Sequence, residues 1–184
     1  MEPRNENRPI RPLIEPSALS RRVSELAAEI DRDYAAKTET DPLVAVGILK
    51  GSVFFLCDLL KQVTVPLAVD FLQTSSYGAG TTPGEVRILK DVDLPLRGKD
   101  VLLVEDIVDT GHTLQTILTL LRFRGARSVR LCALLDKRAV RRVDVPVDYC
   151  GFVIENLFVV GYGLDAGERY RNLPYIGVYE TPET

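Results

Sequence analysis

The chain is poor in the residues that build zinc sites and disulfide frameworks. It contains three cysteines, one histidine and no tryptophan. A single histidine, together with cysteines that show no Cys-x-x-Cys spacing, excludes a zinc site of the Cys/His type. The odd number of isolated cysteines (Cys57, Cys132 and Cys150) predicts reduced and mostly buried thiols.

Long apolar runs and an excess of basic residues are also missing. No apolar run approaches the ~18 residues that a membrane-spanning helix needs, and no charged-then-apolar signal peptide is recognisable. The expected compartment is therefore the cytoplasm. Lys and Arg number 23 against 26 Asp and Glu, a net charge of −3. This balance argues against nucleic acid as a partner.

The composition that remains is typical of one globular domain. The chain has 184 residues, of which 46% are hydrophobic and 27% charged, and this suffices for one real core. Residues 1–16 hold four prolines among charged residues and predict a flexible tail. A single domain is expected over 17–184. It begins with an amphipathic helix whose apolar face carries Leu19, Val23, Leu26, Ala27, Ile30 and Tyr34.

From Leu43 onward, apolar strands alternate with helices. Strands are predicted over 43–48, 65–73, 86–89, 101–104, 129–136, 149–154, 157–160 and 175–179. Helices are predicted over 52–63 and 114–124, and a long mobile loop over 73–84. Continuous apolar strands separated by helices indicate an α/β fold with a mostly parallel sheet flanked by helices. In such sheets ligands bind beyond the carboxyl ends of the strands.

The most informative segment is VLLVEDIVDTGHT, residues 101–113. An apolar strand is followed by Glu105 and Asp106, where the strand is expected to end. Asp109 then opens a Thr-Gly-His-Thr turn before a helix. Such a strand–loop–helix directs backbone N–H groups and the positive helix end towards a phosphate. Three carboxylates beside an anion site are compatible with it if positive charge lies between them.

Five further segments accompany this one in order: LKGS, SSYG, LLDK, LFVVGYGLD and RYRNLPY. Together the six motifs resemble those of the type I phosphoribosyltransferases, in particular the hypoxanthine (hypoxanthine–guanine) branch, from about Ser17 to Tyr179. The resemblance implies a sheet covered by a small hood, built mainly from the C-terminal segment with N-terminal residues contributing. It also implies purine salvage: transfer of the 5-phosphoribosyl group from phosphoribosyl pyrophosphate to hypoxanthine, and to guanine, giving IMP (GMP) and pyrophosphate.

The resemblance also assigns site residues. Phosphoribosyl pyrophosphate is expected to contact Lys50, Gly51, Ser76, Tyr77, Glu105, Asp106, Asp109, Thr110, Gly111, His112, Thr113 and Arg171. The purine is expected to contact Lys137, Phe158, Val159 and Asp165. Mg²⁺ is the expected cofactor, with Glu105, Asp106 and Asp165 as its ligands, since a hard cation prefers oxygen.

Two residues carry the expected chemistry. Asp109 is the candidate general base, since a carboxylate beside the anomeric carbon can accept the purine proton and stabilise positive charge. The ammonium of Lys137 is expected to donate to the 6-oxo group of the purine. Adenine has an amino group there and offers no acceptor.

The match departs from the family pattern at two positions, and other functions remain open. His112 stands where lysine or an aliphatic residue is expected, and Ala166 stands where an aromatic residue is frequent. The first alternative is a regulator of the same fold that binds RNA or DNA through a basic face comprising Arg122, Arg124, Arg127, Arg130, Arg138, Arg141 and Arg142. The second is a receiver-like or phosphotransferase domain. The preference among hypoxanthine, guanine and xanthine is left open, and a homodimer or homotetramer is expected.

Overall fold

The structure is a computed structural model, and it describes residues 10–38, 41–76 and 86–180. In chain order its elements are β1 (Arg11–Ile14), α1 (Pro16–Tyr34), β2 (Leu43–Leu49), α2 (Val53–Leu60), β3 (Leu67–Ser76), β4 (Val86–Lys90), β5 (Asp100–Val108), α3 (His112–Phe123), β6 (Ser128–Asp136), a 3₁₀ turn (Arg138–Val140), β7 (Tyr149–Val153), β8 (Val159–Val160) and β9 (Ile176–Val178). None of the described helices is both long and apolar enough to cross a membrane.

Six strands form the main sheet, in the order β4-β3-β2-β5-β6-β7. All neighbours are parallel except β3 and β4, which pair antiparallel at one edge. The predicted α/β fold with a mostly parallel sheet is therefore confirmed. The carboxyl ends of β2, β5 and β6 lie side by side, so the loops that follow these three strands meet at one edge of the sheet.

Two hydrophobic cores explain why the strands are apolar without interruption. Alternate side chains of β5 point to opposite faces: Leu102 and Val104 belong to the core under α1 and α2, whereas Val101 and Leu103 belong to the core under α3. Because both faces are covered by helices, the run from Val101 to Val104 in β5 is apolar without interruption.

A second, small antiparallel sheet has the order β1-β9-β8 and joins the two ends of the described chain. The prediction of a flexible tail over residues 1–16 is wrong for residues 11–16. Arg11–Ile14 forms β1, and its backbone pairs with β9, with Ile14 opposite Ile176. Residues 1–9 lie outside the described residues.

Two strands continue three or more residues past their predicted ends. The first, β5, continues to Val108, so Glu105 and Asp106 lie within it and not beyond its end. Pairing with β6 continues through this stretch and includes Ile107 opposite Leu135. The second, β3, continues to Ser76, so the mobile loop predicted over 73–84 is wrong for its first four residues. The rest of that loop, with Tyr77, lies outside the described residues.

The three thiols are free, but they are not mostly buried as expected. Cys132 is buried, Cys150 is partly exposed and Cys57 is exposed. Cys57 lies on α2, outside the group of α2 side chains (Phe55, Leu56 and Leu59) that reach the core.

Candidate active site

The loop after β5 is shaped to receive an anion. Its Gly111 has φ +91°, and a Cβ there would lie 2.8 Å from the backbone oxygen of Val143. Only glycine fits this left-handed and crowded position. The helix α3 begins at the next residue, His112, which is exposed, and no described side chain caps its N-terminus. The N–H groups of the first turn, which includes Thr113, are therefore available to a phosphate.

A second loop, which contains residues 141–143, holds the backbone of this one. The backbone oxygen of Thr110 accepts hydrogen bonds from the N–H groups of Arg142 (3.0 Å) and Val143 (3.1 Å). The Nε of Arg141 donates to the backbone oxygen of Asp109 at 3.0 Å, while the Asp109 side chain is exposed. The loop that carries the candidate base thus has a fixed backbone and a carboxylate that makes no hydrogen bond or ion pair with a described residue.

Arg141 is a structural residue that the motifs did not reveal. Its guanidinium pairs with Asp136, which is buried at the end of β6, and also donates to the backbone oxygen of Val145 at 3.0 Å. Together with its bond to Asp109, these contacts tie the end of β6 to the loop after β5. No motif contains Arg141, and neighbouring arginines such as Arg138 and Arg142 give no signal for such a role.

Glu105 and Asp106 are carboxylates held in an unfavourable environment. Burial, followed by the charge of Asp106, raises the pKa of Glu105 well above its ordinary value, and its Oε2 is buried without a hydrogen-bond partner among the described residues. Burial also raises the pKa of Asp106 to about 6, although a hydrogen bond from the N–H of Ile107 (2.8 Å) and the charge of Arg171 both lower it. An unpartnered buried carboxylate is costly and marks a place where a cation or donor belongs.

The loop after β2 approaches Asp106 through a glycine. A Cβ on Gly51 would lie 1.7 Å from the Oδ2 of Asp106, so no other residue fits there without displacing the carboxylate. Gly163 packs on the same loop, since a Cβ on it would lie 2.0 Å from the backbone oxygen of Gly51. The peptide bond between Leu49 and Lys50 is cis.

Arg171, Asp165 and Lys50 form one charged network beside these loops. The Nη2 of Arg171 lies 2.9 Å from the Oδ1 of Asp165, and its Nη1 donates to the backbone oxygen of Gly163 at 2.7 Å. Glu168 lies outside the sequence motifs and was not predicted as a site residue. Its Oε2 lies 3.1 Å from Lys50 Nζ and its Oε1 lies 3.3 Å from Arg171 Nη2. Its hydrogen bond with Lys50 lowers the pKa of Glu168.

The residues expected to bind the purine lie at the end of β6 and before β8. Lys137 is only 7% exposed, yet its ammonium makes no hydrogen bond or ion pair with any described residue. Phe158 is half exposed, and its ring meets that of Tyr179 edge to face at 5.6 Å. Val159 is buried in β8. One unpaired cation and one open aromatic face are therefore present.

The expected magnesium ligands form only part of a metal site by themselves. The described part of the chain holds no group of three or more His, Cys, Asp or Glu side chains that could bind a metal ion by itself. Mg²⁺, however, is commonly held by one or two carboxylates together with substrate oxygens and water. The unpartnered Oε2 of Glu105 and the adjacent Asp106 fit a cation of that kind.

Most of the expected contact residues lie in these loops or beside them, with two exceptions. Ser76 belongs to β3, opposite Val86, and only its backbone is described. Tyr77 is not among the described residues.

Comparison with known proteins agrees with this geometry. The family model for the phosphoribosyl transferase domain matches residues 14–166. A hypoxanthine phosphoribosyltransferase of Haemophilus influenzae is 48% identical over 166 residues, which is 90% of this chain and 92% of the relative. A crystal structure of a hypoxanthine phosphoribosyltransferase from Staphylococcus aureus superimposes with a TM-score of 0.85 at 45% identity, covering 92% of this chain and 90% of that one.

One group of relatives is much longer. The bifunctional protein TilS/HprT of Listeria monocytogenes is 50% identical over 167 residues, which is 90% of this chain and 25% of that protein. The chain thus spans about a quarter of the length of these bifunctional relatives. It belongs to the phosphoribosyltransferase family and, within it, to the hypoxanthine phosphoribosyltransferases.

Proposed function

We propose that the protein transfers the 5-phosphoribosyl group of phosphoribosyl pyrophosphate to hypoxanthine, and to guanine, in purine salvage. One observation carries this proposal. The adjoining carboxyl ends of β5 and β6 bring together an uncapped helix N-terminus, the adjacent carboxylates of Glu105 and Asp106, of which Glu105 Oε2 is buried without a partner, and the ammonium of Lys137, which no described residue pairs. These groups are complementary to a phosphate, to a cation with ribose hydroxyls, and to a carbonyl oxygen.

In the proposed reaction, the loop after β5 and the first turn of α3 hold the 5′-phosphate and orient the sugar. The ring nitrogen of the purine attacks the anomeric carbon as the bond from that carbon to pyrophosphate breaks, and pyrophosphate leaves with the electron pair. The exposed carboxylate of Asp109 accepts the proton of that ring nitrogen and faces the positive charge that develops on the sugar. The bonds from Arg141 and Arg142 fix the loop backbone, so that this carboxylate needs little reorganisation.

Purine selection follows from Lys137. The Lys137 residue is only 7% exposed, and its ammonium, which has no partner among the described residues, can donate a hydrogen bond to a 6-oxo group but not to the amino group of adenine. The open face of Phe158 provides a surface on which the ring can stack. Val159, in the same strand region, offers its backbone at the edge of the ring.

Mg²⁺ is the proposed cofactor, and Glu105, Asp106 and Asp165 are the residues that would hold it together with substrate oxygens. Bound there, it would neutralise carboxylate and pyrophosphate charge. Lys50, Gly51 and Arg171 would receive the pyrophosphate, and Ser76 and Tyr77 would close over it. Free thiols agree with the proposed cytoplasmic location. A homodimer or homotetramer remains a proposal from the family.

The alternative of a nucleic-acid-binding regulator is disfavoured by the arginine pairing. Five of the seven arginines of the basic face form ion pairs with aspartates: Arg124 with Asp91, Arg127 with Asp100, Arg130 with Asp33, and both Arg138 and Arg141 with Asp136. Paired arginines contribute little net field, so a phosphate backbone would find few free contacts. A salt-dependent gel shift would be expected to show no binding.

The enzymatic proposal is tested by a substrate panel. Purified protein is incubated with phosphoribosyl pyrophosphate, Mg²⁺ and one of hypoxanthine, guanine, xanthine or adenine, and nucleotide formation is followed by absorbance. We expect turnover with hypoxanthine and guanine and none above background with adenine. Absence of turnover with every 6-oxopurine would reject the proposal.

A further inference from the structure

The side chain of Glu168 is placed by a tight turn. Ala166 and Arg169 exchange backbone hydrogen bonds of 3.2 and 3.3 Å, so Gly167 and Glu168 are the two central residues of a two-residue turn. Both have positive φ, +61° and +64°, as a type I′ turn requires. The N–H of Glu168 also donates to the Oδ2 of Asp165 at 2.7 Å. The backbone of this turn therefore fixes the position of the Glu168 Cα, from which the side chain extends.

The two oxygens of this carboxylate meet two different cations. Oε2 lies 3.1 Å from the Nζ of Lys50 and Oε1 lies 3.3 Å from the Nη2 of Arg171, although the two cationic residues are far apart in the chain. Two oxygens of a pyrophosphate can bridge a lysine and an arginine in the same way, since both side chains are common phosphate partners. The Glu168 side chain is 65% exposed, so a ligand arriving from solvent can displace it without disturbing the core.

Arg171 does not depend on Glu168 for its position. Asp165 holds Nη2 at 2.9 Å, the backbone oxygen of Gly163 holds Nη1 at 2.7 Å, and Gly163 itself packs against the backbone of Gly51. Among the contacts that described residues make with Arg171, the one from Glu168 is the longest, and Glu168 is more exposed than Asp165. The bridge therefore serves the ligand-free state and is not the framework of the site.

We propose that Glu168 is a competing anion that occupies the pyrophosphate position in the free protein and must be displaced when the pyrophosphate group binds. This inference rests on the proposed function, because it takes Lys50 and Arg171 as the pyrophosphate-binding cations. Glu168 is thus a residue that sets pyrophosphate affinity by weakening it. Its return to the two cations after reaction favours release of the pyrophosphate product.

The test is calorimetric titration with inorganic pyrophosphate at fixed ionic strength. Wild type is compared with Glu168→Gln, with Lys50→Ala, and with Glu25→Gln as a matched control. Glu25 is also an exposed glutamate paired with an arginine (Arg22, 2.8 Å), and its change alters the net charge equally. We expect Glu168→Gln to bind pyrophosphate about three- to tenfold more tightly, which is the range expected for two exposed ion pairs. Glu25→Gln should bind as wild type does, and Lys50→Ala more weakly.

The outcomes separate the two proposals. If Lys50→Ala weakens binding but Glu168→Gln leaves it unchanged or weaker, the competing-anion inference is overturned while the pyrophosphate site stands. If Lys50→Ala binds as wild type does, the site assignment itself is wrong and the inference fails with it. In the double variant Lys50→Ala/Glu168→Gln, the gain from Glu168→Gln should shrink, because one of the two competing contacts is already gone.

Discussion

The burial of Asp106 predicts that the ligand-free protein becomes more stable when this charge is removed. The perturbation is Asp106→Asn in protein freed of divalent ions with EDTA. Asparagine keeps the size of the side chain beside Gly51 and keeps an oxygen to accept the hydrogen bond from Ile107. What is lost is the charge, together with its attraction to Arg171.

The magnitude and its pH dependence follow from the raised pKa. A rise from 3.8 to about 6 means that the ionised Asp106 carboxyl costs the folded state about 3 kcal/mol at neutral pH. Because the pKa in the folded state exceeds that of the unfolded chain, the folded protein binds more protons between about pH 4 and 6, and its stability falls as pH rises through that window. Asp106→Asn should therefore gain about 3 kcal/mol at pH 7.5 and almost nothing at pH 4.

The assay is urea denaturation at pH 4, 6 and 7.5, with Asp100→Asn as a control of opposite sign. A hydrogen bond from Arg127 lowers the pKa of Asp100, so its charge stabilises the folded state above about pH 4. Asp100→Asn should destabilise most at pH 7.5 and less in acid. A gain for Asp106→Asn that is equal at all three pH values, or a loss at pH 7.5, would refute the argument.

Three further substitutions test other parts of the site. Gly51→Ala forces a methyl group into the carboxylate of Asp106 and should lower the free energy of unfolding by about 1–3 kcal/mol, measured by urea denaturation; unchanged stability would contradict the close approach. Lys137→Ala should raise the KM for hypoxanthine about 10- to 100-fold and weaken the discrimination against adenine. If steady-state kinetics show an unchanged KM and unchanged discrimination, Lys137 does not bind the purine. Arg141→Ala should cost about 2 kcal/mol of stability and lower kcat more than the KM for purine, because it frees the loop that carries Asp109; a change in stability without any change in kcat would reject its positioning role.

The local patterns predict most of the fold because both cores are built from simple periodicities. The apolar face expected for the first helix is the face that α1 buries. The strands with uninterrupted apolar runs, β2, β5 and β6, are covered on both faces. Gly125, two residues after the last residue of α3, has φ +84°, the left-handed conformation that is typical of a glycine at a helix C-terminus. These features depend on residues a few positions apart.

What sequence reasoning missed depends on contacts between distant residues. Three of the four residues of β1 are exposed, and the strand forms because β9 at the other end of the chain offers its backbone. Glu105 and Asp106 extend β5 because β6 continues to pair with it. Glu168 meets Lys50 across 118 positions of sequence. No local signal encodes such pairings, because they arise only when the loops meet at one edge of the sheet.

The proposed function depends most on Asp109 as the base in phosphoribosyl transfer to a 6-oxopurine. The most direct measurement compares nucleotide formation from phosphoribosyl pyrophosphate, Mg²⁺ and hypoxanthine by wild type and Asp109→Asn, with circular dichroism and phosphoribosyl pyrophosphate binding recorded on both proteins. We predict a folded variant that still binds phosphoribosyl pyrophosphate and whose kcat is about 10²–10⁴-fold lower. Equal kcat in the two proteins would contradict the claim.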